Sequence, residues 1–189
     1  DYDKGKLSPE LRNEIAKDIV GYESAREYYI KKTSEGIARF ASKYSNSDIK
    51  YRFTDFKSDE YRELKGGRQY EKVEDNPMLG DRGIGRYLRP QNLEAFRLEI
   101  EVIKRVREMG YKNVHVFFPM VRDVEELREA MAIMEEAGLK RGEDGLKVGM
   151  MAELPANVLM LDEFLDVGVD FVSIGSNDLT QAILGVDRN

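Results

Sequence analysis

Read as a pattern of apolar and polar positions, the chain changes character part-way along. Residues 7–44, LSPELRNEIAKDIVGYESAREYYIKKTSEGIARFASKY, read as helix. Ser8 is placed to cap the first turn, and Pro9 takes the first helical position, where its missing N–H is harmless. Gly21 and Gly36 are expected to divide this stretch into two or three pieces. IKYRFTDF then alternates, Ile49, Tyr51 and Phe53 against Lys50, Arg52 and Thr54, the two-residue period of a strand. About thirty residues from Asp59 to Pro90 follow, rich in charge and glycine, and read mostly as loop. Loops of that length are uncommon in compact domains and usually carry function.

Beyond the loop the pattern is regular. Leu93, Phe96, Ile100, Ile103 and Val106 form a helical stripe closed by Gly110. NVHVFFPM reads as a strand. Asp123 with Glu126 has the spacing of a capping box, opening a helix through Leu127, Met131 and Met134 that Gly138 closes. LKVGMMAE is a strand, Pro155 starts a helix running through Phe164 and Leu165 to Gly168, and DFVSIG is the last strand. Strands and helices alternating at this spacing imply parallel βαβ units and an α/β fold.

Parallel sheets place their sites at the carboxyl ends of the strands. Those ends carry Arg52 and Asp55, then Pro119 and Arg122, then Glu153, then Ser176, Asn177 and Asp178. Glu153 and Asp178 follow successive strands, so their carboxylates can meet. Two acids with few other ligands are the usual protein share of a Mg²⁺ site, because that ion keeps waters and takes substrate oxygens. The alternative is a helix-capping Glu and an Asx-turn Asp. Arg52 lies on the polar side of its strand, and its fork suits a phosphate or carboxylate, or else a structural salt bridge. Arg82 is flanked by Gly80, Gly83 and Gly85, which would let backbone approach an anion; the order GxxGxG, with no clear strand before it, is not a dinucleotide fingerprint. His115, the single histidine, sits mid-strand and reads as a packed or barrel-lining residue; the charge run from Asp55 to Glu74 reads as a solvated face.

Composition narrows the classes. With 189 residues, 41% hydrophobic, there is material for one core and one domain. The 30 basic and 36 acidic residues are interspersed, which argues for a soluble surface and against a nucleic-acid footprint. No apolar stretch approaches the ~20 residues of a membrane span and no signal-peptide pattern opens the chain, so cytoplasm is the expected compartment. The absence of cysteine excludes disulfides, thiolate metal sites and a Cys nucleophile within these residues.

YRFTDFKSDEYRELKGG, NPMLGDRGIGRYL, VFFPMVRDVEEL, GLKVGMMAELPANVLMLDEFL and FVSIGSNDLTQAILGVDRN together resemble the C-terminal barrel of the phosphoenolpyruvate synthases (pyruvate, water dikinases), within the PEP-utilizing enzyme family. They are also similar to the barrels of pyruvate phosphate dikinase and of Enzyme I of the sugar phosphotransferase system. The resemblance implies an incomplete (β/α)8 TIM-type barrel with parallel strands. Residues 1–48 would be a helical lead-in packed on it and 49–189 a partial PEP/pyruvate-binding barrel, its first and last strands absent. It implies Mg²⁺ as cofactor, ligated by Glu153 and Asp178. Arg52 and Arg82 would hold the phosphoryl group and substrate, and Gly175, Ser176 and Asn177 the carboxylate side of pyruvate. It further implies ATP-binding and phosphohistidine domains elsewhere in the full-length protein, which here would supply gluconeogenesis as a homo-oligomer. The proton-transfer cysteine would follow Asn189, so these residues alone are expected to lack turnover. The rival readings are a pyruvate phosphate dikinase and a non-catalytic binding or assembly fragment.

Overall fold

The computed structural model describes residues 5–187; the first four residues of the lead-in, and Arg188 and Asn189 of the last motif, lie outside the described residues. Helix α1 (Pro9–Asp18) opens as expected, with Ser8 Oγ accepting from the Leu11 N–H at 3.3 Å. Gly21, at φ +87°, ends this segment, and α2 (Ala25–Lys43) restarts under a Ser24 cap. Gly36 does not divide α2. A glycine inside a helix costs only about 1 kcal/mol relative to alanine, and α2 recovers more by burying Ser34, Ala38 and Ala41 as it packs on α5 (Leu93–Glu108).

Four parallel strands form one sheet in sequence order: β1 (Ile49–Arg52), β2 (Val114–Phe118), β3 (Val148–Ala152) and β4 (Phe171–Ile174). The register pairs Arg52 with Phe117, Phe117 with Gly149, and Gly149 with Phe171. Alternation along the strands then sorts the two faces. One face carries Tyr51, Val116, Phe118, Val148 and Met150, which pack with Phe53, Phe96 and Tyr87 beneath α5 and α6 (Val124–Glu136). The Phe53 ring lies 5.1 Å from Phe118 and 5.3 Å from Phe96, centroid to centroid, in the geometry aromatic pairs prefer. The other face carries Lys50, Arg52, His115, Phe117, Met151 and Phe171. On it the Lys50 ammonium sits 4.9 Å from the centre of the Phe171 ring.

His115 is packed, as its place in the strand suggested. Its Nδ1 accepts from the Lys147 N–H at 3.1 Å and its Nε2 faces Asp48 at 3.3 Å. Burial pulls its pKa below the ordinary value, against the pull of Asp48.

The connector between β1 and α5 is more ordered than its sequence suggests. It holds α3 (Ser58–Glu63), a 3₁₀ turn (Gly67–Gln69) and α4 (Ile84–Tyr87), each too short to show an apolar stripe. Charge orders them instead. Buried Arg86 lies 4.1 Å from the Tyr61 ring centre and donates to Glu71 at 2.9 Å. The Glu74 carboxylate accepts from Ser58 Oγ at 2.6 Å and from the Asp81 N–H at 3.1 Å. The run from Asp55 to Glu74 is therefore not uniformly a solvated face: Asp55 and Ser58 are buried.

The remaining helices follow the strands: α7 (Pro155–Leu159), α8 (Leu161–Asp166) and α9 (Ser176–Leu184). The segment expected as one helix from Pro155 is two, kinked at Met160 (φ −118°, ψ 34°). Asp123 caps α6 by accepting from the Glu126 N–H at 2.8 Å, while Glu126 reaches back to the Arg122 N–H, one residue beyond the usual capping-box partner. Asp123→Ala should lower stability by about 1 kcal/mol, measured as a shift of the urea midpoint at unchanged slope.

Candidate active site

The carboxyl ends of all four strands meet over one polar cluster. Arg82, delivered by the loop before α4, is at its centre and is buried. Its Nε and Nη2 donate to the two oxygens of Asp55 at 3.0 and 2.7 Å, a bidentate pair. Its Nη1 donates to Asp178 Oδ1 at 3.2 Å, in the first turn of α9. Arg52, at the end of β1, reaches the same Asp55 with Nη1 at 3.4 Å and lies 3.9 Å from Met151 Sδ. Its side chain stays 46% exposed.

Glu153, after β3, is fully buried. Oε1 accepts from the Met120 N–H at 2.6 Å, and Met120 takes a left-handed conformation (φ 50°) after β2. Oε2 is buried and has no hydrogen-bond partner among the described residues. It lies against Gly175, where a Cβ would fall 2.5 Å from it and 2.9 Å from Met151 Cε. Only the absence of a side chain at 175 lets β4 turn into α9 across this carboxylate. Ser176 and Asn177 begin α9 and are exposed at the rim.

Two other strand-end residues serve the scaffold. Arg122 donates to the carbonyls of Gly80 (2.9 Å) and Arg82 (3.1 Å), bracing the loop that presents Arg82. The Pro119 carbonyl accepts from the Ile84 N–H at 3.1 Å. Gly83, at φ +65°, has no room for a Cβ, which would meet Met120 Cβ at 2.4 Å. The glycines around Arg82 thus approach the protein itself, Gly80 meeting the carboxylate of Glu74.

Asn157, which sequence reasoning missed, fixes Glu153 in place. Its Oδ1 accepts from the N–H groups of Glu153 (3.1 Å) and Leu154 (2.9 Å), and its Nδ2 donates to the Val121 carbonyl at 2.7 Å. The available signal was an amide three residues after Leu154, at the start of a Pro-initiated helix, which is the reciprocal half of a capping box. It was masked because leucine is no capping residue.

The sequence profile described as "PEP-utilising enzyme, PEP-binding domain" matches residues 18–189. The chain belongs to the PEP-utilising enzyme family. It is similar to the phosphoenolpyruvate synthase of Escherichia coli strain K12, 46% identical over 182 residues, which is 96% of this chain and 23% of that protein. The phosphoenolpyruvate synthase of Aeropyrum pernix is 53% identical over 164 residues, covering 86% of this chain and 20% of the relative. A probable phosphoenolpyruvate synthase of Staphylothermus marinus is 55% identical over 162 residues, covering 85% and 19%. The chain therefore spans about a fifth of the length of these curated relatives. The family resemblance read from the motifs holds, and the fold agrees at the level of an α/β chain with a four-stranded parallel sheet.

In this member of the PEP-utilising enzyme family the charges of the cluster act on each other. Burial, then the proximity of Asp55 and Asp178, pushes Glu153 up to about 7, against the Met120 N–H and Arg82, which favour its ionised form. Burial opposes the charge of Arg82, but Asp55 and then Asp178 outweigh it and hold the guanidinium above its ordinary pKa. Among the described residues no three His, Cys, Asp or Glu side chains gather into a self-sufficient metal site. The unpartnered Glu153 oxygen and the Asp178 carboxylate, whose charge acts on Glu153, are hard-oxygen donors of the kind taken by an ion that completes its shell with water and substrate oxygens. No helix among the described residues is long and apolar enough to cross a membrane.

Proposed function

We propose that this chain is the pyruvate- and phosphoenolpyruvate-binding part of a phosphoenolpyruvate synthase, which converts ATP, pyruvate and water to AMP, phosphoenolpyruvate and phosphate. The observation that carries the reading is Glu153 Oε2, buried and unpartnered, facing Gly175 in a cluster with Asp178 and two arginines. The names of the relatives support it. In this reading residues 49–189 are a partial (β/α)8 barrel with 1–48 as its lead-in. Four parallel strands in sequence order with the polar cluster at their carboxyl ends support that placement, as does the exposed apolar side chain of Ile174 on the edge strand β4.

Glu153 and Asp178 would hold Mg²⁺, whose chemistry is Lewis-acid stabilisation of the negative charge that develops on the pyruvate oxygens. Arg52, half-exposed at the end of β1, would neutralise the oxygens of the moving phosphoryl group. Ser176 and Asn177 would offer donors at the start of α9 to the substrate carboxylate, while Gly175, whose N–H donates to the Ala152 carbonyl at 3.0 Å, leaves room beside Glu153. In the transfer, the N–P bond of a phosphohistidine breaks, an O–P bond forms to pyruvate, and the methyl proton leaves to a base outside these residues. The ATP-binding and phosphohistidine domains belong to the full-length protein, a cytoplasmic, homo-oligomeric enzyme of gluconeogenesis; the 189 residues alone lack turnover.

Calorimetry on the full-length protein tests this. Phosphoenolpyruvate should bind in the presence of Mg²⁺ and weaken by at least an order of magnitude in Glu153→Gln and in Asp178→Asn, the scale of losing one charged contact. Unchanged binding in both variants would sink the site. Turnover without added phosphate, releasing phosphate and not pyrophosphate, separates a synthase from a pyruvate phosphate dikinase.

A further inference from the structure

Every nitrogen of Arg82 is engaged by the protein. Asp55 takes Nε and Nη2, while Nη1 donates to Asp178 at 3.2 Å and to the Met78 carbonyl at 3.5 Å. The side chain is 5% exposed, and that of Asp55 is 1% exposed. Arg52 differs: its Nη1 lies 3.4 Å from Asp55 and 3.9 Å from Met151 Sδ, and its side chain is half-exposed. An arginine meant for phosphoryl oxygens therefore has its outward nitrogen on a carboxylate, and that carboxylate is one of the two acids assigned to the metal. A guanidinium in direct contact with Asp178 Oδ1 and a divalent cation arriving there compete for the same lone pairs.

We propose that Asp55 is a positioning residue that grips Arg82 by its Nε–Nη2 edge, while Nη1 passes from Asp178 to a phosphoryl oxygen once the metal takes Asp178. The inference rests on the metal-site reading above and adds an order to it. The bidentate grip keeps the guanidinium plane in place during the exchange, because only the Nη1 partner changes. A buried arginine released from both carboxylates at once would leave two uncompensated charges; Asp55 prevents this by retaining its half. Linkage makes the exchange reciprocal: whatever weakens the hold of Arg82 on Asp178 strengthens metal binding, and metal binding frees Arg82 for phosphate. The buried position of Asp55, three residues after Arg52, also lets one carboxylate set both arginines.

The test titrates MgCl₂ alone into the full-length protein and its variants by calorimetry, each variant first checked for native circular dichroism. Arg82→Lys keeps the charge but lacks the fork that serves two carboxylates, so it should bind Mg²⁺ at least about fivefold tighter than the wild type, the low end of ordinary coupling between sites. Asp55→Asn, which leaves Arg82 to Asp178, should bind it at least about fivefold weaker. A purely structural role would weaken binding in both. Should Arg82→Lys not fold, the comparison moves to Asp55→Asn with and without Arg82→Met, and the double variant should be the tighter binder. Unchanged or weaker binding in Arg82→Lys, or no gain from Arg82→Met, overturns the exchange; if Glu153→Gln still abolishes Mg²⁺ binding, the site itself stands. A wild type that binds no Mg²⁺ removes the site and the exchange together.

Discussion

Glu153→Gln is expected to stabilise the metal-free protein by on the order of 3 kcal/mol at pH 8 and by much less at pH 5. The carboxyl is buried, and its pKa is raised from 4.5 to about 7, with each unit worth about 1.4 kcal/mol. Below 4.5 the folded and unfolded chains both hold the proton. Between 4.5 and about 7 the folded chain keeps a proton that the unfolded chain has lost, so stability falls as the pH rises. Above that window the neutral form's advantage is gone and a buried carboxylate must be tolerated. Glutamine is neutral throughout, and its oxygen can still accept from the Met120 N–H. Urea denaturation with a chelator present, at pH 5 and pH 8, checks this; a gain equal at both values would mean that Glu153 is not the strained group. The destabilisation has a use in the proposed site. A carboxylate that burial and two neighbouring acids disfavour is relieved by a divalent cation, so the variant that gains stability without metal should lose the metal.

The sequence made the sheet legible because parallel strands and their covering helices obey simple periods. The stripe from Phe96 to Val106 is buried along α5, and of the strand-end residues Arg52, Asp55 and Asp178 meet around Arg82 while Pro119 and Arg122 brace its loop. What stayed hidden was whatever depends on charge meeting charge across the chain. Asp55 reads as the start of an acidic loop, yet it is buried because Arg82, 27 residues later, closes on it. The connector has no period, since its short helices are ordered by Arg86–Glu71 and the Glu74 contacts and not by an apolar stripe. Gly36 reads as a break, and packing on α5 overrides its propensity. The kink at Met160 has no residue-type marker between Pro155 and Asp166, and nothing in the structure explains it. Oε2 of Glu153 could not be anticipated at all, because a missing partner is a property of the packed site alone.

Asn157→Ala is expected to lower stability by about 3 kcal/mol or more. The side chain is fully buried and makes three hydrogen bonds, accepting from the N–H groups of Glu153 and Leu154 and donating to the Val121 carbonyl. Truncation leaves three backbone groups unpaired, two of them buried, and each buried group costs roughly 1–3 kcal/mol, less than additively where the chain relaxes. Urea unfolding measures the loss, and a change under about 1 kcal/mol would show that water or a backbone shift replaces the amide. A local readout separates lost stability from lost positioning. The amides of Glu153 and Leu154 should exchange with solvent faster than global unfolding alone explains, since their acceptor is gone while neighbouring β3 stays paired to β2 and β4. Glu153 is held at two points, its backbone by Asn157 and its carboxylate by Met120. Loosening the first leaves the second to carry a buried acid whose other oxygen has no partner among the described residues. Asn157→Ala should therefore also weaken Mg²⁺ binding at temperatures where the protein is still fully folded, which loss of global stability by itself would not do.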